Sequence, residues 1–126
     1  ASRMIDEGRG GSNIHMSSQM GHVGAVNRSV YCASKHAIEG LSKAMAVELA
    51  PHDIRVNSVA PTFVETPMTR VFFEDEDFRR SVLEQIPLGQ LAEVGDIASA
   101  VVYLASPASS MVTGSCLKVD GGWTAR

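Results

Sequence analysis

Two rhythms of apolar and polar positions run along this chain and divide it into strands and helices. Ala1 to Glu7 reads as the end of a helix, closed by the glycines between Gly8 and Gly11. Ser12-Asn13-Ile14-His15-Met16-Ser17 and Ile54-Arg55-Val56-Asn57-Ser58-Val59-Ala60 are short runs bounded by turn residues, and each predicts a strand. Between them, Val30 to Ala50 carries Ala33, Ala37, Ile38, Leu41, Ala44, Met45, Val47 and Leu49, with Pro51 as its stop. These are too many for one stripe, so the helix should be covered on more than one side. One side packs on a sheet; the other is open to a second subunit or to other parts of the same domain. A further helix over Glu93 to Ala105 spaces Ile97, Val101, Val102 and Leu104 for burial. Cys116-Leu117-Lys118-Val119 is the last strand, and Asp120-Gly121-Gly122 turns out of it. Strand and helix in alternation predict an α/β fold with a parallel sheet.

Val71 to Ile86 fits this pattern less simply. Phe72, Phe73 and Phe78 are interleaved with the run Glu74-Asp75-Glu76-Asp77 and followed by Arg79-Arg80. The aromatics can line a pocket while the charges face water, and a plain amphipathic helix has the same pattern. The acidic run lacks the spacing of a metal-binding loop, so it reads as a solvated face.

Composition narrows the function by exclusion. At 126 residues with a net charge of −3, the chain is one domain's worth with no basic cluster to hold nucleic acid or anionic lipid. No apolar run approaches the ~20 residues that span a bilayer. No secretory leader is visible, so Cys32 and Cys116 are expected to be reduced thiols in a cytoplasmic protein. Cys32 has no histidine placed to activate it and reads as a small packing residue. His15 reads as a core or supporting histidine, and no other His, Cys or carboxylate is spaced to complete a metal site.

The candidate chemistry lies between Ser17 and Lys35. If Tyr31 begins a helix, Lys35 stands one turn on and both side chains share a face. An ammonium near a phenol favours the phenolate, and a tyrosine so tuned passes a proton to or from a substrate oxygen. Ser18, at the end of a strand, can hydrogen-bond that same oxygen. By itself Tyr-x-x-x-Lys is a common helix pattern, and the surroundings decide its meaning.

Ser17-Ser18-x-x-Gly21-x-x-Gly24, Tyr31-x-Ala33-Ser34-Lys35-x-Ala37 and Ile54-Arg55-Val56-Asn57 through Pro61 stand in one order. With Thr66, Asp96-Ile97-Ala98 and Val119-Asp120-Gly121-Gly122, they resemble the short-chain dehydrogenase/reductase family over nearly the whole chain. The resemblance implies a Rossmann-like, doubly wound parallel sheet and hydride transfer between a secondary alcohol or ketone and NAD(H) or NADP(H). It assigns catalysis to Ser18, Tyr31 and Lys35. Tyr31 would be the acid/base, Ser18 would hold the substrate oxygen, and Lys35 would tune Tyr31 and bind the nicotinamide ribose. Pro61, Val64 and Thr66 would line the cofactor loop; Met20, Phe72 and Phe73 would line the substrate pocket, the last two from a mobile lid. Pro61-Thr62 departs from the Pro-Gly that relatives favour.

The resemblance also implies a missing part. The family fold opens with a strand, a Gly-rich turn at the cofactor pyrophosphate and a helix, and none of these stands here. Residues 1–126 are therefore expected to be the C-terminal, catalytic and substrate-binding part of a single domain. The family's catalytic asparagine and the residue that selects NAD or NADP would both precede Ala1. Sugars or polyols and 3-oxoacyl thioesters are the expected substrates, and a homodimer or homotetramer the expected assembly. The rival reading is a truncated fragment with no activity of its own; a serine hydrolase lacks its G-x-S-x-G elbow.

Overall fold

The computed structural model describes residues 1–125. Three strands form one parallel sheet: β1 (Gly11–Met16), β2 (Ile54–Pro61) and β5 (Cys116–Val119), in the order β1-β2-β5. Gly11 faces Ile54 and Met16 faces Val59 across one ladder; Ser58 faces Cys116 and Pro61 faces Val119 across the other. The strand β2 is central and almost wholly buried, and its period of two sends alternate residues to opposite layers. Ile54 and Val56 meet Ala46 and Leu49 of α2 (Ser29–Leu49), with Met4 and Ile5 of α1 (Ser2–Glu7) against the same cluster. Val59 meets Ala100 and Leu104 of α5 (Val94–Ala105) on the other face. Helices on both faces of a parallel sheet make the Rossmann-like, doubly wound α/β arrangement that the sequence predicted.

The polar residues of β2 tie it to the segment before β5. Asn57 donates to the Val112 carbonyl at 2.8 Å and accepts from the Ser115 N–H at 3.1 Å. Arg55 donates to Ser109 Oγ at 2.9 Å. Each satisfies a buried polar group that would otherwise cost more than the bond returns.

Pro51 does not simply stop the long helix. It opens a 3-10 turn, Ala50–His52, because a proline in a first turn has no N–H to lose. The stretch from Thr66 onward breaks into pieces: α3 (Pro67–Arg70), a 3-10 turn over Val71–Glu74, and α4 (Glu76–Leu83). The acidic run explains the break. Asp75 caps α4 by accepting from the N–H groups of Asp77 and Phe78, and Glu76 and Asp77 sit in the first turn, where the helix dipole favours negative charge. Two short strands the pattern did not predict, β3 (Val64–Glu65) and β4 (Ala92–Glu93), pair in parallel. Among the described residues, no helix is long and apolar enough to cross a membrane.

Past β5, buried Asp120 accepts from Gly122 N–H, Thr124 N–H and the Thr124 hydroxyl at 2.7 to 3.0 Å. Burial raises its pKa, but these bonds outweigh that and hold the carboxyl below its ordinary 3.8. A depressed carboxyl stabilises the fold above its unfolded pKa, and that contribution is lost as the pH falls through the folded value. Asp120→Ala is expected to cost about 1–3 kcal/mol at neutral pH and to flatten the loss of stability below about pH 4. Urea melts of the full-length protein at neutral and acid pH measure both.

Candidate functional site

The ladder carries the chain one residue past β1, where Ser17 N–H donates to the Val59 carbonyl at 2.8 Å. A 3-10 turn, Gln19–Gly21, follows, capped by Ser18, whose Oγ accepts from Met20 N–H at 3.2 Å. The same hydroxyl donates to Gln19 Oε1 at 2.8 Å. Gly21 lets this loop lie against α2. A Cβ there would sit 2.9 Å from Ser17 Oγ and 3.0 Å from the Lys35 carbonyl.

Tyr31 and Lys35 lie in the first turns of α2, one turn apart as their spacing predicted. Lys35 Nζ stands 5.5 Å from the centre of the Tyr31 ring, within cation–π range. It donates to the Met16 carbonyl at 3.1 Å, so it is pinned to the end of β1. Tyr31 is 44% exposed.

Ser18, Met20, Tyr31 and Phe72 line one cavity of about 460 Å³, together with Gln19, Arg28, Thr62, Phe63 and Met68. It opens beyond the C-terminal ends of β1 and β2, where open α/β sheets bind ligands. Phe73, predicted as a pocket residue, is not among its walls. Its ring packs on Phe63 at 5.9 Å and on Phe78 at 5.7 Å, and Trp123 reaches Phe63 from the other side at 5.8 Å. Phe73 and Phe78 thus pack on Phe63 and on each other, and Phe72 lines both Tyr31's cavity and an adjoining hollow of about 480 Å³ that Phe73 shares.

The predicted cofactor loop also has local duties. Pro61 ends β2, and Val64 pairs with Ala92 while its carbonyl accepts from Thr69 Oγ1 at 2.7 Å. The Thr66 hydroxyl caps α3 by accepting from Thr69 N–H, the role of a turn residue ahead of Pro67. Thr62, where relatives favour glycine, is the residue the pattern passed over. It is buried, its Oγ1 has no partner among the described residues, and it lines both the Tyr31 cavity and a second hollow of about 660 Å³. A buried hydroxyl without a protein partner is left for a water or a ligand group to meet, and an amide such as that of nicotinamide fits it.

Behind the serine loop lies a polar cluster that sequence spacing missed, since its members stand far apart in the chain. His22 Nε2 is 3.2 Å from Cys116 Sγ and 3.5 Å from Glu39 Oε1. Burial raises the Glu39 pKa, but the hydroxyls of Ser17 and Ser58 beside it, the second donating to Oε2, and the nearby His22 outweigh this and leave it below the usual carboxylate range. His22 is lowered, chiefly by burial, against the pull of Glu39. Burial, with Glu39 beside it, pushes the Cys116 thiol up to about 11. His15, read as a supporting histidine, bonds Ser42 Oγ at 2.8 Å.

A doubly wound parallel sheet with a mixed polar and aromatic cavity at its strand ends places the chain among Rossmann-like α/β proteins. The chain belongs to the short-chain dehydrogenase/reductase family, and the family model described as enoyl-(acyl carrier protein) reductase matches residues 1–124. The chain is 46% identical over 122 residues to L-xylulose reductase of Bos taurus, covering 97% of this chain and 50% of that protein. It is 44% identical to D-erythrulose reductase of Gallus gallus, covering 98% of this chain and 50% of that one. Among solved structures it matches a gluconate 5-dehydrogenase from Burkholderia cenocepacia in complex with NADP and tartrate. That match has TM-score 0.93 and 32% identity, over 99% of this chain and 49% of the other. A 4-hydroxyisoleucine dehydrogenase complexed with NADH matches with TM-score 0.95 and 34% identity, over 99% of this chain and 51% of the other. The chain spans about half the length of the curated relatives it matches.

Proposed function

We propose that this chain is the catalytic and substrate-binding part of an NAD(H)- or NADP(H)-dependent oxidoreductase that interconverts a secondary alcohol and a ketone on a sugar or polyol. The observation that carries this reading is the shared cavity of Ser18 and Tyr31 at the sheet's C-terminal edge, with Lys35 over the Tyr31 ring. The bound nicotinamide supplies the hydride in reduction and accepts it in oxidation.

The chain's own residues handle the proton and the positioning. The Tyr31 hydroxyl gives a proton to the carbonyl oxygen in reduction and takes it back in oxidation. Ser18, whose hydroxyl hydrogen can rotate away from Gln19, holds that oxygen in line. Lys35, held over the Tyr31 ring, meets the nicotinamide ribose. Pro61 and Val64 border the cofactor, Thr66 supports that loop by capping α3, and the Thr62 hydroxyl is free to receive the carboxamide. Gln19 and Arg28 beside Met20 and Phe72 suit a small, hydroxyl-rich substrate.

The sugar relatives support this substrate class. The family description names a reductase of acyl-carrier-protein thioesters, of the enoyl kind, and a 3-oxoacyl thioester is the second reading. Initial rates of the full-length protein with NADH and NADPH, on short ketoses and on 3-oxoacyl thioesters, separate the two. Higher kcat/KM on the ketoses is expected, and preference for the thioesters would overturn the sugar assignment.

Assembly and location belong to the same proposal. The outward face of α2 exposes Leu41 and Val47, with Ala37 and Ala44 beside them, and suits a homodimer or homotetramer contact. Ala44→Glu would place an unpaired charge there and is expected to shift the oligomer to smaller species on size exclusion; unchanged elution would argue against α2. Cys32 and Cys116 are free thiols, as suits the cytoplasm, and cell fractionation tests that location.

A further inference from the structure

His22, Glu39 and Cys116 come from three separate elements and direct their ligand atoms at one point. His22 lies four residues past Ser18 in the serine loop, Glu39 one helical turn past Lys35 on α2, and Cys116 opens β5. The three ligand atoms lie within 4.8 Å of one another. Pair by pair, Nε2–Sγ is 3.2 Å, Nε2–Oε1 is 3.5 Å and Sγ–Oε1 is 3.5 Å. A tetrahedral zinc ion with bonds of about 2.0–2.3 Å sets its ligand atoms roughly 3.3–3.8 Å apart. The Nε2–Oε1 and Sγ–Oε1 edges already have that length, and the Nε2–Sγ edge has only to open slightly.

The surroundings also suit a metal. Ser58 donates to Glu39 Oε2 at 2.9 Å, which fixes the carboxylate and leaves Oε1 facing the histidine and the cysteine. Metal-bound carboxylates are commonly held by such an outer hydrogen bond. Glu39 is buried and Cys116 is half-buried, while the His22 side chain keeps 23% of its surface exposed, which leaves a side open for a water as fourth ligand.

We propose that His22 Nε2, Glu39 Oε1 and Cys116 Sγ form a binding site for a divalent transition-metal ion, with Zn²⁺ as the ion that an imidazole, a carboxylate and a thiolate select together. Binding displaces the thiol proton of Cys116 to solvent and replaces the S–H···O bond to Glu39 with metal bonds. The ion joins the serine loop, the Tyr31 helix and β5, and none of its three ligands lines the Tyr31 cavity. It is a structural clamp behind the site, and it is independent of the hydride-transfer reading.

Cobalt substitution tests the site without any activity assay. Titrating Co²⁺ into the reduced full-length protein is expected to give, at one equivalent, the thiolate-to-cobalt charge-transfer band and the strong visible bands of a tetrahedral site. Stoichiometric Zn²⁺ should bleach both. Cys116→Ser is expected to abolish the charge-transfer band. His22→Gln, which keeps a polar side chain of similar reach, should weaken binding on the order of tenfold or more. Cys32→Ser should leave the spectrum unchanged. A wild-type protein that shows no tetrahedral spectrum would overturn the proposal. So would a charge-transfer band that survives Cys116→Ser or follows Cys32, or a His22→Gln protein that binds as tightly as wild type. Any of these results would leave the triad as a hydrogen-bond network alone.

Discussion

Tyr31→Phe is expected to lower turnover by ~10²–10⁴, the usual contribution of a positioned general acid–base group. The ring keeps its place under the Lys35 ammonium and in the cavity wall, so folding and cofactor binding should survive. Only the hydroxyl is lost, and with it the proton path to the carbonyl oxygen. The loss should therefore fall on kcat, with the cofactor Kd near that of wild type. Stopped-flow turnover and a separate cofactor titration on the full-length protein measure the two quantities. Turnover within a few-fold of wild type would remove Tyr31 from the acid/base role.

Lys35→Ala is expected to act differently, because Lys35 has more than one contact. Its ammonium faces the Tyr31 ring and donates to the Met16 carbonyl, which ties α2 to the end of β1 beside the serine loop. Removing it takes away the proposed ribose contact and that tie. Cofactor affinity should fall, and turnover with it, because the serine loop and α2 lose a shared anchor. Lys35→Arg should recover little of the affinity, since a planar guanidinium cannot occupy an ammonium's position. Titrating NADH and NADPH into the full-length variants measures this; a Lys35→Ala protein that binds both as tightly as wild type would show that Lys35 does not hold the cofactor.

The sequence made the long elements legible. The bounded run from Ile54 to Ala60, the crowded apolar positions of α2 and the 93–105 periodicity each predicted an element that the structure places within a residue or two. What escaped was short or assembled from afar. Two-residue strands such as β3 and β4 have no period to read, and only their mutual pairing defines them. Asp75 looked like one charge in a solvated run until its carboxylate was seen to cap α4. Phe63 stood alone in a loop, yet Phe73, Phe78 and Trp123 all pack around it, which is why Phe73 does not reach the Tyr31 cavity.

The candidate site was legible where a motif fixed local spacing, as with Tyr31 and Lys35 on one helix face. Gln19 and Thr62 were not. A polar residue just past a strand end becomes a wall of a cavity only through its burial, and neither carries a pattern of its own. The grouping of His22 with Glu39 and Cys116 depends on the packing of α2 against β2 and β5, and no local spacing encodes it.

The most direct test of the central claim follows the hydride itself. The full-length protein is given a short ketose and NADH or NADPH deuterated at the transferable C4 position, and the alcohol product is examined by mass spectrometry and NMR. The account predicts one deuterium on the carbon that was the carbonyl, with product formation lost in parallel in Tyr31→Phe. Unlabelled alcohol, or no oxidation of either cofactor with any ketose or 3-oxoacyl thioester, would contradict it.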